Sequence, residues 1–238
     1  MKYSSHLTEA ILLKRLLRFM AEVVLPNRQK LIIRCPNIGG MRGCDILGTK
    51  IWYSNAIGYH CLPTWELVEA DNGFLVGINP ELMKPLIIEA INKHALEELV
   101  GYNIMHAGGQ FDQFRSQFLL LEKDQNQCYI GIEQVLVISD HGVGLFPAAV
   151  GEGFENLNAL IQAREQGHRA ILFYCVMHTG ISYIKSSQDT DSRYFDLMQK
   201  AIAVGVEFIA YRVTIDLENI SLTTKLPVLP VELVKSKL

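Results

Sequence analysis

The sequence predicts a mixed α+β chain, a small N-terminal β-barrel of OB type followed by an α/β layered unit. Two features carry that expectation. Short strands separated by Asn-, Gly- and Pro-containing turns fill the chain as far as Ile78. Near Asn79-Pro80 the pattern changes to helices alternating with apolar strands. Size agrees, because 238 residues that are 49% hydrophobic suffice for one large domain or two modest ones. The expected division is 1–80 for the barrel and 81–238 for the α/β unit.

Taken in order, the first element is ambiguous. Between Ala10 and Leu25, the residues Ile11, Leu12, Leu13, Leu16, Leu17, Phe19 and Met20 suit an amphipathic helix, whereas Val23 and Val24 favour a strand. Strands follow at Lys30 to Cys35, Thr49 to Ser54, Thr64 to Ala70 and Phe74 to Ile78, with Asp71-Asn72-Gly73 as a hairpin turn. Leu82 to Leu99 has helical spacing, with Pro85 tolerable in a first turn. A hairpin comes next: an apolar strand Phe114 to Leu121, a polar turn at 122–126, and a second strand from Tyr129 to Val137. A helix is expected from Glu152 to Gln166, ended by Gly167, then a buried apolar strand from Arg169 to Met177. A last helix, Ser192 to Val204, stops at Gly205 before a strand from Val206 to Ile215. The Pro-broken apolar tail Leu226 to Val234 is expected to pack along an edge.

Charge is unevenly spread. Residues 1–50 carry nine Lys and Arg against Glu9, Glu22 and Asp45, a net +6, so the rest of a −3 chain totals −9. A basic segment on an acidic body suits contact with a polyanion, and Lys14, Arg15, Arg18 and Arg42 are the candidates; scattered solvating cations are the plainer explanation. No leader and no bilayer-length apolar run are present, so a soluble cytoplasmic protein without a membrane partner is expected. Five cysteines without CxxC argue for reduced thiols rather than zinc.

Asn37 to Gly43 is the loop best suited to phosphate: Gly39, Gly40 and Gly43 permit close backbone approach and Arg42 adds a cation. Tight turns explain the glycines equally well, and no GK[ST] follows, which argues against nucleotide hydrolysis. Trp65 reads as core; Trp52, Tyr53 and Tyr59 leave base stacking open. His106, His141, His168 and His178 lack companions at catalytic or metal spacing, and Ser139-Asp140-His141 is a triad in letters only.

Several phrases resemble one family. Residues 34–44, RCPNIGGMRGC, resemble CPNTGSMRGC; Thr64 to Val68 matches TWELV; Glu89-Ala90-Ile91 matches the end of REAI. Phe146-Pro147-Ala148-Ala149-Val150 resembles FPDAV, and Gly167 to Ala170 and Leu226-Pro227-Val228 also fit. On these motifs the chain is identified as a member of the sugar fermentation stimulation protein (SfsA) family. The resemblance implies an OB-type barrel associated with DNA binding, joined to a domain of PD-(D/E)xK nuclease type. It makes the Ala10 to Leu25 region a barrel strand, giving five strands in under ninety residues.

The same resemblance exposes departures. Where the family reads RIDFLL, this chain has Gln117 for Asp; where it reads YVEVKNV, it has Gly131 for Glu and Glu133 for Lys; FPDAVTERG becomes FPAAVGEGF. Only Glu89 and Glu152 remain as carboxylates at motif positions. Mg2+ wants hard oxygen ligands, and Gly131 supplies none. A unit charge about 4 Å from a phosphate is worth ~1 kcal/mol in water and ~4 at intermediate dielectric, so Glu133 turns attraction into repulsion. The expectation is a non-specific DNA-binding protein with a regulatory link to sugar metabolism, no cofactor, and a catalytically disabled nuclease-type domain serving as scaffold, homodimer surface or dock for a protein partner. The rivals are a Mg2+-dependent nuclease with a migrated Glu89, Glu133 and Glu152 site, and an interaction module without nucleic acid.

Overall fold

The computed structural model describes residues 1–56, 62–105, 118–146, 152–186 and 192–229. Strands β1 (Thr8–Leu16), β2 (Met20–Val24), β3 (Lys30–Arg34), β4 (Lys50–Ser54), β5 (Thr64–Glu69) and β6 (Leu75–Gly77) form the first sheet. A parallel contact of Arg34 with Thr64 pairs β3 with β5, and the ring β1-β2-β3-β5-β4 closes as an OB-type barrel. The Ala10 to Leu25 region, expected as one barrel strand, is instead a hairpin of two strands, β1 and β2. Leu17 and Arg18 take positive φ (48° and 66°) in the three-residue turn that joins Leu16 to Met20, so β1 folds back onto β2. Alternation then points Ala10, Leu12, Ala21 and Val23 inward. Leu17, which a helix could have buried, is left exposed.

Asn79 leads the chain out of β6 toward the first helix. Its side-chain oxygen accepts from the Glu81 amide and caps the turn at Pro80–Leu82, which leads into α1 (Met83–Asn92). The helix is shorter than its periodicity suggested. His94 adopts φ 53°, which ends it, and the chain re-enters a turn only at Glu97–Leu99.

The central sheet runs β15-β14-β12-β9-β8-β7, from β7 (Asn103–Met105), β8 (Phe118–Lys123), β9 (Asn126–Val135), β12 (Arg169–Val176), β14 (Glu207–Ile215) and β15 (Ile220–Leu226). β9, β12 and β14 are parallel, and β8 with β9 makes the expected hairpin. Its turn is tighter than the polar run implied, because Asp124 and Gln125 alone take positive φ. β10 (Val137–Ser139), β11 (Val143–Phe146), β13 (Tyr183–Ser186) and β16 (Val228–Leu229) form a second small sheet that the sequence pattern did not reveal. Helices α2 (Glu152–Glu165) and α3 (Ser192–Val204) lie where their spacing and glycine stops placed them.

Alternation sorts the central sheet into two faces. Cys128, Ile130, Ile132, Ile171, Phe173 and Cys175 join one core with barrel residues Ile33, Trp65 and Leu67 and with Leu86 and Ile87 of α1. Tyr129, Val135, Leu172 and Tyr174 face the other way, toward Leu157 and Leu160 of α2 and Tyr194 of α3. The barrel docks through backbone: Gly77 N–H donates to Met177 O (2.8 Å) and Thr179 N–H to Leu75 O (3.0 Å). Gly77 permits this approach, since a Cβ there would sit 2.7 Å from the Met177 methyl.

Candidate functional site

Two regions bear on function: the nuclease-type position on β9, and the basic end of the barrel. On β9, Gly131 and Glu133 point to the α2/α3 face. A Cβ at Gly131 would meet Leu160 Cδ1 at 3.1 Å and the Phe118 ring at 3.5 Å. The space beside Gly131 is thus taken by an aliphatic and an aromatic side chain. Glu133 accepts from the Tyr194 hydroxyl at 3.4 Å, and Gly153 at the start of α2 lets both approach: its Cβ would lie 2.5 Å from Tyr194 Cε2 and 3.1 Å from Glu133 Oε1. Burial pushes the Tyr194 and Tyr174 phenols well above their ordinary value, with the Glu133 charge adding to the rise. Both therefore stay protonated, and Tyr194 is the donor to that carboxylate. Sequence reading missed this tyrosine pair: it put Tyr174 on a strand and Tyr194 on a helix, but nothing in spacing tells that the two side chains meet.

The structure does not bring Glu89 to Glu133. Glu89 lies on α1, on the barrel side of the sheet. Its carboxylate is taken by the Met1 ammonium and by Lys93, each at 2.6 Å, and these cations hold it below the ordinary carboxylate range. The proposed grouping of Glu89, Glu133 and Glu152 is corrected to that extent. Gln117, Ala148 and the FPAAV segment beyond Phe146 fall outside the described residues, and Glu152 is described only as the first residue of α2. Among the described residues no three His, Cys, Asp or Glu come together as metal ligands.

At the barrel end the four candidate cations divide. Lys14 is exposed on β1 and pairs with Glu22 at 3.4 Å. Arg15 turns back into the protein: its guanidinium donates to the carbonyls of Arg18 (3.0 Å), Asn37 and Gly39 (3.5 Å) and pairs with Asp45 at 3.6 Å. Arg18 and Arg42 are exposed, and among the described residues neither has an acidic partner. Arg15 therefore fastens the hairpin tip to the loop, and Arg18 and Arg42 are the cations left for a ligand. The loop continues to the central sheet: Asn37 Nδ2 donates to Gln134 Oε1 (3.0 Å) and Gln134 Nε2 to Gly77 O (3.2 Å). Gln134 was not foreseen; it stands beside Glu133 but faces the barrel.

Trp65 is core as expected, and Trp52 and Tyr53 are also buried, which removes them as stacking platforms; Tyr59 lies outside the described residues. One buried acid went unnoticed in the TWELV phrase. Glu66, 4% exposed, accepts from Ser54 Oγ (2.7 Å) and Asn79 Nδ2 (2.8 Å), yet burial still raises its carboxyl above the ordinary value. His178 is buried where the barrel docks, with Nδ1 accepting from Gly180 N–H, and burial pushes its pKa down to about 4.

Comparison with known proteins agrees with this architecture. Residues 81–219 match the family model described as the sugar fermentation stimulation protein RE domain. The chain is 35% identical over 238 residues to the sugar fermentation stimulation protein homolog of Pseudoalteromonas atlantica, covering 96% of this chain and 100% of that protein. It is 34% identical over 229 residues to the homolog of Shewanella frigidimarina, covering 94% and 97%. A solved structure of Pyrococcus furiosus SfsA in complex with Ca2+ superposes with a TM-score of 0.83 at 21% identity, covering 96% of this chain and 98% of that one, a likeness of fold. With the motifs, the barrel topology and these relatives in agreement, the chain belongs to the sugar fermentation stimulation protein (SfsA) family.

Proposed function

We propose that this protein binds DNA non-specifically through the barrel end, and that its nuclease-type domain serves as a scaffold, homodimer surface or partner dock rather than a cleaving unit. The setting would be the cytoplasm, with the regulatory link to sugar metabolism that the family name implies. The observation that carries the reading is Gly131: where catalysis requires an anionic oxygen, Leu160 and Phe118 close the space. Binding is supported by the exposed Arg18 and Arg42 on segments that Arg15 holds together.

The Ca2+ of the archaeal relative favours a second reading, a divalent-ion-dependent nuclease. The described residues fit that ion poorly. Glu133 is engaged by Tyr194, Glu89 is neutralised by two cations on the other side of the sheet, and Gly131 has no ligand to offer. Mn2+ titrated by calorimetry should give no saturable heat, and supercoiled plasmid with Mg2+ should stay intact. Saturable Mn2+ binding accompanied by nicking, both lost in Glu133→Gln, would establish the enzyme instead. For binding, DNA affinity should fall steeply with salt, and Arg18→Ala should reduce the log–log slope by about 0.7 to 0.9.

A further inference from the structure

Apolar side chains at the basic end of the barrel are exposed in an unusual concentration. Leu17 (76% exposed) and Phe19 flank Arg18 on the β1–β2 tip, Ile38 (60%) follows Asn37, and Ile46 and Leu47 (65%) follow Asp45. These three segments are far apart in sequence, yet one guanidinium holds them together. Arg15 donates to the carbonyls of Arg18, Asn37 and Gly39 and pairs with Asp45. Two backbone bonds reinforce the arrangement, Cys35 N–H to Phe19 O (2.8 Å) and Gly48 N–H to Leu12 O (2.8 Å). The five apolar side chains therefore sit on segments gathered by one half-buried anchor, with Arg18 exposed on the tip and Arg42 exposed on the loop after Gly39.

Duplex DNA presents phosphates outward and hides its base faces, so it would use the two arginines and leave the apolar side chains in water. An unpaired strand offers both features, phosphates for Arg18 and Arg42 and base faces that gain from contact with Phe19, Leu17, Ile38 and Leu47. We propose that the barrel end is a site for single-stranded nucleic acid, in which apolar side chains receive unpaired bases and Arg15 is a positioning residue that holds the three segments in register. Charge complementarity supports this occupant: Asp45, the acid in the cluster, is already neutralised by Arg15, which leaves the surface cationic. The inference rests on the proposed DNA binding and specifies which form of DNA is taken.

The test compares a fluorescein-labelled oligo(dT) with a duplex of equal length by anisotropy over a range of salt, using the full chain. Wild type should bind the single strand more tightly. Leu17→Ser combined with Leu47→Ser, both surface changes, should weaken single-strand binding about tenfold or more while leaving duplex affinity and the salt slope unchanged. Arg15→Lys should also weaken single-strand binding, because an ammonium cannot reproduce the fork that bridges three carbonyls. Equal or tighter duplex binding that the double variant does not alter would overturn the inference and leave non-specific DNA binding standing. Failure to bind either DNA at low salt would remove the underlying reading as well. Anionic vesicles of phosphatidylglycerol and phosphatidylcholine are the control. Flotation with them, or concentration-dependent self-association, lost in the double variant while single-strand binding persists, would assign the patch elsewhere and overturn the inference.

Discussion

Glu66 shows how a single side chain can oppose the fold that contains it. The carboxylate sits in the barrel wall with two donors, and desolvation outweighs them enough to raise its pKa. A raised acid binds its proton more tightly when folded. Its contribution to stability is therefore full below the unfolded pKa and lost as pH rises through the folded value. In denaturation across pH 4 to 8, wild type should gain stability relative to Glu66→Gln as pH is lowered; a gap independent of pH would contradict the argument. Nothing about Glu66 was legible in advance, since a strand acid reads as a solvent-facing residue until the strand on either side is known. Gly131 is the opposite case. Its lack of a ligand was evident in the sequence, while the apolar packing that takes up the space was not.

At the scale of elements, the β8–β9 hairpin is held by a turn for which its sequence is poorly suited. Asp124 and Gln125 both carry positive φ, which Asp tolerates and Gln does not favour. Gln125→Gly should raise stability by about 0.5–1 kcal/mol in urea denaturation, by relieving left-handed strain in a turn that prefers Asp-Gly. A destabilised variant would mean that the entropy lost in the flexible unfolded chain exceeds the strain. Helices α2 and α3 and strands β12 and β14 were legible because each has one dominant period and a glycine stop. β10, β11, β13 and β16 were not, because two- to four-residue strands carry too few side chains to show a period.

At the scale of the whole molecule, the barrel and the central sheet share one core. Barrel residues and the inner face of the central sheet belong to the same buried cluster, and backbone bonds at Gly77 and Thr179 stitch them together. Thermal unfolding followed by tryptophan fluorescence, which reports Trp52 and Trp65 in the barrel, should coincide with far-ultraviolet circular dichroism; two separated transitions would show that the units fold independently. His178 sits at that junction as a neutral imidazole with its pKa near 4. The unfolded chain takes up the proton first, so stability is full above about 6.5, the ordinary histidine value, and falls as pH drops toward 4. His178→Asn should lose less stability than wild type between pH 7 and pH 4.5. An identical acid sensitivity in both would place the titrating group elsewhere.

What the sequence determined by itself was the family, the order of barrel and α/β unit, the basic N-terminal segment, and the absence of an acidic side chain at Gly131. Those are properties of residue identity and local period, and they survive without knowledge of neighbours. Tertiary structure alone decided that Arg15 looks inward as a fastener while Arg18 and Arg42 look outward, and that Glu89 and Glu133 belong to opposite faces of one sheet. It also decided that Tyr174 and Tyr194 meet beside Glu133. Each of these depends on which distant segments are pressed together, and burial, hydrogen bonding and the resulting pKa shifts come into being only at those contacts.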